Sequence, residues 1–585
     1  MTHPMTHRAE LPYSYYDKEQ GKIILKLTTA ADITAATVVY GDPFLWKKTT
    51  KKDAAGNDIW VWHTNEISMI AQYTDKKSRY WQAAIPPTRA RRMKYHFVLT
   101  KANGQTIVLD EDGTSPEGGT GHFFFPAIHE VDAPHAPKWA SEVCWYQIFP
   151  ERFANGDAKI NPPEMADWDN DMPEHRNFYG GDLRGIIDKL PYLKKLGVTG
   201  LYLTPVFESP STHKYDTTDY FKIDPSFGDT QTLRELVQKA HTAGMKVMLD
   251  AVFNHIGGRH TYWQDVLKKQ EKSKYKDYFH IKSFPVLPSY DDREAINYET
   301  FAHVANMPKW NTENPDARQH LIDAALHWIR ECDIDGWRLD VSDEVSFDFW
   351  RAMRTAINAV KPDFYLLGEV WHDPSKWVNG GYFDAVMNYR FGYLIRDFFI
   401  HGTLAADEFA QRIFARLAMF ADVHARQQFN LLDSHDTMRI LSQANGDASA
   451  MMNAFLFMYM MRGALCIYYG TEVGMTQVCE GDPGARAPML WDENKQDKTL
   501  QDFFKRLLAL RKKYNTLVQK ASVAYTRNGK ISQWELTHGK QKLTLLYNAG
   551  KNAVPITGEI LLAGAPCNGN QLPAATCAVI KSSET

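Results

Sequence analysis

Cysteine is scarce and scattered in this 585-residue chain. Its six residues are Cys144, Cys332, Cys466, Cys479, Cys567 and Cys577, with no CxxC pair and no spacing of the kind that holds zinc or an iron–sulfur cluster. A disulfide framework is not expected, and a reducing compartment suits the chain. Cys144, Cys332 and Cys466 lie in apolar runs, where a small buried hydrophobe is the expected role. An excess of one charge is missing too: 67 Lys and Arg face 70 Asp and Glu, a net −3, so nothing draws nucleic acid or an anionic membrane. No run of about 18 apolar residues could span a membrane. The first residues, "MTHPMTHRAELPYSYYDKE", lack the apolar centre of a secretory signal. Repeats and low-complexity tracts are absent. A cytoplasmic protein with neither nucleic-acid nor membrane partners is expected.

What the chain has in quantity is aromatic rings: 16 Trp, 28 Tyr and 30 Phe. Rings at this density fill cores, and they also make platforms for flat ligands such as bases or sugar faces.

Residues 1–128 read as all-β. "GKIILKLTTA", "ATVVYGD", "DIWVWHT", "RYWQAAI" and "MKYHFVLT" are short β-branched or aromatic runs between Gly, Asp, Asn and Pro clusters, the pattern of a β-sandwich. A Pro-containing linker, residues 129–140, follows. From Val143 short apolar strands alternate with amphipathic helices. The helices are "LRGIIDKLPYLKKLG", "TLRELVQKAHTAG" and "ARQHLIDAALHWIRE". The strands are "SEVCWYQIF", "VTGLYLTPVF", "MKVMLDAVFNH", "DGWRLDV", "FYLLGEV", "FDAVMNY", "FNLLDS" and "GALCIYYG". Eight strands with helices between most of them predict a (β/α)₈ TIM barrel, within a multidomain α/β chain. The stretch between the third and fourth strands is too long for one helix. The expected layout is therefore a first barrel part (129–255), an inserted subdomain (256–310), a second barrel part (311–512) and a small C-terminal β domain (513–585).

Four strand candidates end in a carboxylate: Asp250, Asp340, Glu369 and, just beyond its strand, Asp436. Barrel strands deliver such residues to one open face, where active sites are built. A single Asp there is as easily a helix cap; four on separate strands, each beside Arg, His, Asn or Trp, are poorly explained as caps. Cleaving an acetal needs an acid to protonate the leaving oxygen and a second carboxylate to stabilise or trap the oxocarbenium-like carbon. Arg338 and Asp340 are two residues apart, so on a strand they share a face. A cation there lowers a carboxyl pKa, which suits an ionised nucleophile. The plain structural alternative is a buried ion pair.

The ordered segments "DAVFNH" (250–255), "GWRLDVSDE" (336–344), "GEVWH" (368–372) and "NLLDSHD" (430–436) resemble the four signature regions of the α-amylase superfamily, glycoside hydrolase family 13. "MPKW" (307–310) resembles the motif closing that family's inserted domain. "YQIFPERFANGD", "FYGGDLRGI", "HKYDTTDYF", "CIYYGTEVGM" and "VVYGDPFLWKK" are similar to the subgroup of cyclomaltodextrinases, neopullulanases and maltogenic amylases. The resemblance covers nearly the whole chain. It implies Asp340 as nucleophile, Glu369 as general acid/base and Asp436 as the third carboxylate. It implies Arg338 orienting Asp340, His255 and His435 on sugar hydroxyls, and Tyr215 stacked beneath the same sugar. Glu344 and Trp371 are implied on the acceptor side, Asp482 and Arg486 on the non-reducing side, and Asp250 as support. α-Glucan oligosaccharides are the implied substrates, cleaved at α-1,4 links with retention and some transglycosylation, by a homodimer joined through the N-terminal domain. A structural calcium ion is implied on Asn155, Asp157, Asn161, Gly180 (by its carbonyl) and Asp182, although Ile160 stands where a further Asn is expected.

The chain departs from the subgroup in two places. Ser342-Asp343 replaces the usual Ala-Asn, and in the eighth-strand motif Leu465 replaces Pro and Thr471 replaces Asp. A non-catalytic carbohydrate-binding protein on the same barrel is the alternative of a different class. An α-1,6-glucosidase or sucrose-type transferase is a third, against which the long N-terminal β domain argues.

Overall fold

Eight parallel strands close on themselves at the centre of the chain. In order they are Cys144–Ile148, Gly200–Leu203, Lys246–Ala251, Gly336–Leu339, Tyr365–Gly368, Ala385–Val386, Phe429–Asn430 and Ala464–Tyr468. The first pairs with the second and the eighth, and the remaining neighbours pair in sequence. A parallel bridge between Met387 and Phe429 joins strands six and seven and completes the ring. This is the expected (β/α)₈ barrel. The computed structural model describes residues 5–116, 119, 121–288 and 296–581.

Both faces of each strand are buried, which is why they read as unbroken apolar runs. Trp337 and Leu339 point outward into the layer shared with the helices. Met248, Tyr202, Tyr365 and Leu367 fill the interior. The flanking helices start and stop on local signals. Asp182 caps Leu183–Leu196 through Gly185 N–H, and Gly197 ends it at φ +103°. Asp229 caps Thr230–Thr242, and Asn314 caps Pro315–Cys332. The segment after strand three folds out as a helix, Thr261–Lys269, followed by isolated bridges. It returns through "MPKW", where Lys309 bridges His255 and Trp310 bridges Phe279. Residues 289–295 of this insert lie outside the described residues.

The N-terminal β-sandwich packs Ile23, Leu25, Val38, Phe97 and Leu99 between its two sheets. One of these sheets does not stop at the domain edge. Ile70–Thr74 pairs in parallel with Ser522–Asn528, through Tyr73 with Val523 and Thr74 with Ala524, and so runs on into the C-terminal strands as one nine-stranded sheet. The boundary expected between 512 and 513 falls inside the helical segment Lys498–Lys520, beside a kink at Tyr514 (φ −111°, ψ 15°). Leu500, Phe504, Leu507, Leu517 and Val518 are buried along that helix, so its apolar face carries it past the expected boundary.

The sandwich is pinned to the barrel by a buried ion cluster. Asp422 takes Lys26 Nζ at 2.8 Å, Arg462 Nη1 at 3.0 Å and Gln82 Nε2 at 2.8 Å. Lys26 and Gln82 belong to the sandwich.

Candidate active site

Strand register sets the height of the first two carboxylates. Asp340 N–H donates to Ala251 O and Glu369 N–H to Leu339 O, each at 3.0 Å. Each acid therefore stands one residue past its strand, at the C-terminal rim. Arg338, fully buried, reaches them from inside. Its Nη1 donates to Asp340 Oδ1 at 2.6 Å and to Asp250 Oδ1 and Oδ2 at 3.1 and 3.2 Å. Its Nη2 lies 2.5 Å from Glu369 Oε1 and 3.9 Å from Asp436 Oδ2. The Nη2 contact with Glu369 is an ion contact without hydrogen-bond alignment. Two carboxyls on the two terminal nitrogens of one guanidinium stand close together. A carboxyl pair about 5–5.5 Å apart serves retention, and a wider pair leaves room for a water and serves inversion.

A relay of neutral donors surrounds the cluster. Gln147 Nε2 meets His435 Nδ1 at 2.6 Å, so His435 carries its proton on Nε2. That nitrogen faces Tyr215 OH at 2.5 Å and Asp436 Oδ2 at 3.1 Å. Tyr215 OH and Tyr202 OH both donate to Asp250 Oδ2, at 3.0 and 2.7 Å. Burial, then the Arg486 and Arg338 charges, hold the His435 pKa far below its usual value. Burial also lowers His255 to about 3. Both rings stay neutral and can hydrogen-bond hydroxyl groups.

Burial raises the Glu369 carboxyl to about 7; Arg338 opposes the rise and Asp436 adds to it. Asp340 departs from expectation. Arg338 does favour its ionised form, but burial outweighs it and the charges of Glu369 and Asp250 add to burial, so its pKa is raised. The two acids therefore titrate as a pair. The aligned hydrogen bond from Arg338 favours the charged form at Asp340, while burial raises the proton affinity of both carboxyls. A charged carboxylate beside a protonated one is the equipment that acetal cleavage needs.

The sequence profile described as "Alpha amylase, catalytic domain" matches residues 147–520, and that described as "Alpha amylase, N-terminal ig-like domain" matches residues 1–129. The chain belongs to the α-amylase family. It is 43% identical over 558 residues to a cyclomaltodextrinase of Geobacillus thermopakistaniensis, covering 94% of this chain and 91% of that one. It is 43% identical over 525 residues to an intracellular maltogenic amylase of Bacillus subtilis, covering 88% and 86%. A solved cyclomaltodextrinase superposes with a TM-score of 0.85 at 38% identity over 99% of each chain.

On one flank of this α-amylase-family site, Arg486 donates to Asp436 Oδ1 at 3.1 Å, to Asp482 Oδ2 at 3.2 Å and to His435 O at 2.8 Å. The Asp482–Arg486 pair is thus tied to the third carboxylate. On the other flank Trp371 Nε1 donates to Glu369 Oε1 at 3.2 Å. Its ring stacks on Tyr389 at 3.7 Å. Glu344 stands at the surface, paired with Lys309 Nζ at 3.0 Å. Beside it a cavity of about 410 Å³ opens between the insert (His280, Glu299, Trp310) and the turn after strand four (Asp343, Glu344, Phe347). Tyr215 lies parallel to His435, ring centroids 5.5 Å apart, and His255 stacks on Phe301 at 4.8 Å.

The loop carrying the candidate metal ligands splits in two. Asn155 Nδ2 donates to Asn161 Oδ1 at 2.9 Å. A Cβ on Gly180 would come within 2.7 Å of the Asn155 amide and 2.8 Å of Asn161 Oδ1, so glycine keeps that space open. Asp182 Oδ2 accepts N–H groups from Gly156 at 3.0 Å and Asp157 at 2.8 Å, and its Oδ1 accepts from Gly185 at 2.6 Å. Among the described residues no group of three His, Cys, Asp or Glu is gathered for a metal. The donors are amide, carbonyl and carboxylate oxygens, which fit a hard cation such as calcium held with several waters.

Sequence reading missed Gln147, Tyr202, Tyr389 and Lys309. A lone Gln inside the apolar run "VCWYQIF" was the one available signal. The others look like ordinary core aromatics or a surface lysine until the fold brings them in. Thr471, one of the two departures in the eighth-strand motif, donates to buried Asp433 Oδ2 at 2.9 Å, where an Asp would set two carboxylates together.

Proposed function

We propose that this α-amylase-family enzyme hydrolyses α-1,4-glucosidic links in cyclodextrins, pullulan and short maltodextrins with retention, and transfers part of the product to sugar acceptors. The single guanidinium that bears Asp340 on one nitrogen and Glu369 on the other carries this reading. Asp340 attacks the anomeric carbon while Glu369 gives its proton to the leaving oxygen. Water or a second sugar then attacks the glycosyl-enzyme, and Glu369 takes the proton back. Asp436, steadied by Arg486 and His435, holds the hydroxyls of the sugar being cleaved, with His255 and Tyr215 around the same ring. Trp371, Glu344 and the neighbouring cavity receive the acceptor.

The calcium ion is structural in this reading, held by Asn155, Asp157, Asn161, the Gly180 carbonyl and Asp182, and it supplies no step of the reaction. The enzyme works in the cytoplasm. The relative's printed word "intracellular" supports this, and no helix among the described residues is long and apolar enough to cross a membrane. It acts as a homodimer through the sandwich, where Phe44, Leu45, Trp46 and Trp60 are exposed together, a patch of the kind that marks an interface.

Product analysis on γ-cyclodextrin, pullulan and soluble starch, with wild type and Asp340→Asn, tests the reading. Fresh α-anomeric products from wild type and none from the variant are expected. No release from any substrate would favour the non-catalytic carbohydrate-binding alternative. Equal rates on starch and cyclodextrin would remove the narrow-site dimer, and fresh β products would exclude retention.

A further inference from the structure

Two turns carry the reacting carboxylates, 340–344 after strand four and 369–372 after strand five. Three ties join them. Val341 N–H donates to Glu369 Oε2 at 3.0 Å. Ser342 Oγ donates to the Glu369 backbone carbonyl at 2.7 Å. His372 Nε2 meets Asp343 Oδ2 at 2.9 Å. Any residue at 341 other than proline could supply the first. The other two use the side chains of Ser342 and Asp343, where the chain departs from Ala-Asn; alanine at 342 would lose its tie, and asparagine at 343 would keep an acceptor for His372.

Ser342 is fully buried, and its own carbonyl accepts Trp350 Nε1–H at 2.9 Å, so the turn is held from both sides. A Cβ on Gly368 would strike the Phe383 ring and come within 3.0 Å of Ser342 Oγ, so glycine leaves room for both. Val341 sits at φ +43°, ψ +43°, a left-handed conformation that costs a β-branched residue about 1–3 kcal/mol and persists only where its surroundings over-determine it. Without the Ser342 hydroxyl the turn can relax, and Val341 N–H then leaves Glu369 Oε2. Asp340 would stay in place, because Arg338 and Ala251 O hold it separately. The acid would move relative to the nucleophile.

We propose that Ser342, backed from outside by the Asp343–His372 pair, is a positioning residue for the acid/base Glu369. It touches no substrate and acts through the Glu369 backbone. The inference rests on the assignment of Asp340 and Glu369 above.

The test compares two leaving groups. With α-maltosyl fluoride, an Asp340 oxygen bonds to the anomeric carbon as the C–F bond breaks. Fluoride departs with the electron pair and needs little help from an acid; a glucosyl oxygen of γ-cyclodextrin must be protonated. Ser342→Ala is expected to lower kcat on γ-cyclodextrin about 5- to 20-fold with KM within about twofold, since a well-placed acid contributes 10²–10⁴ and the variant only displaces it. The pre-steady-state fluoride burst should keep its rate. Asp343→Ala should show a smaller loss of the same pattern, and Asp343→Asn, which keeps an acceptor for His372, should recover most of it. This pair of variants carries the test if Ser342→Ala fails to fold. Equal losses on both substrates, or no loss on γ-cyclodextrin, overturn the inference. Glu369→Gln separates the underlying assignment: it should abolish cyclodextrin turnover and spare the burst. If instead it retains turnover or loses the burst, the acid/base assignment fails whatever the Ser342 result.

Discussion

Arg338, on the fourth barrel strand, and Asp340, two residues on and just past its end, meet at 2.6 Å in the barrel mouth, and the same guanidinium lies 2.5 Å from Glu369. Asp250 shares it as well. One cation faces three buried carboxyls, so ionising all three would leave net negative charge where water cannot screen it. Keeping a proton in the cluster resolves this, and Glu369, which lacks an aligned hydrogen bond from Arg338, is where the proposed mechanism puts it.

Activity should therefore fall as pH rises through about 7. Glu369 donates only while protonated, and burial pushes its carboxyl up to about 7. Asp436 is among the causes of that rise, so Asp436→Asn should move the alkaline limb of the kcat/KM profile to lower pH, on top of a large loss of rate. Profiles on γ-cyclodextrin between pH 5 and 9 measure both. A limb that stays put in the variant would count against Glu369 as the group observed.

Arg338→Lys should cost about 10²–10³ in kcat. Lysine keeps the charge but not the planar fork that holds two carboxyls on two nitrogens at once. KM should change less than kcat, because the proposed sugar contacts of Asp436, His435 and His255 remain. A variant within about threefold of wild type would mean that the fork does not set the spacing of the pair.

Much of the barrel was legible because its strands are buried on both faces and its helices carry local caps. Asp340, Glu369 and Asp436 stand out because each follows an apolar run among polar neighbours, and the structure gathers all three around Arg338. What stayed hidden is non-local. Gln147 fixes His435 across 288 residues of chain, and nothing near either residue announces the other. The pairing of Tyr73 with Val523 merges two sheets that read as separate domains. Strands six and seven are two residues each, too short for periodicity to mark their ends. The upward shift of Asp340 was also out of reach, since an arginine two residues away is visible in sequence and the depth of burial is not.

Asp422 should prove a stability residue although it lies far from the chemistry. Its carboxylate is fully buried, and although burial opposes ionisation, Lys26 and Arg462 hold its pKa far below the usual value. A depressed carboxyl adds stability that is fully present above its unfolded pKa of about 3.9 and is lost as pH falls through the folded value. Asp422→Asn removes that contribution at every pH and leaves two buried cations uncompensated, at a cost of roughly 3–5 kcal/mol. Thermal unfolding at pH 7 should show a lower Tm with the N-terminal sandwich loosened first. Adding Lys26→Met should restore part of the loss. An unchanged Tm would show that the sandwich is held by its apolar contacts alone.

Calcium should raise the Tm, and the size of the effect can be traced to one position. A ligand that binds only the folded chain stabilises it by about 2.7 kcal/mol at a hundred times its Kd. Excess EDTA should therefore lower the melting temperature by a few degrees, and added calcium should restore it. Asp157→Ala should make the protein insensitive to both, with little change in the rate on γ-cyclodextrin measured well below the melting temperature, because no step of the reaction passes through the ion. Ile160 decides between this loop as the site and some other. It ends the short 3₁₀ turn Ala158–Ile160, directly before Asn161, and offers no side-chain oxygen. Ile160→Asn supplies one more hard ligand to a cation that takes six to eight. Its expected result is a calcium midpoint lowered several-fold, read by titrating the Tm. If EDTA leaves the wild-type Tm unchanged and Ile160→Asn gains no response, the loop is held by its own hydrogen bonds: Asn155 on Asn161, and the backbone N–H groups of Gly156, Asp157 and Gly185 on Asp182.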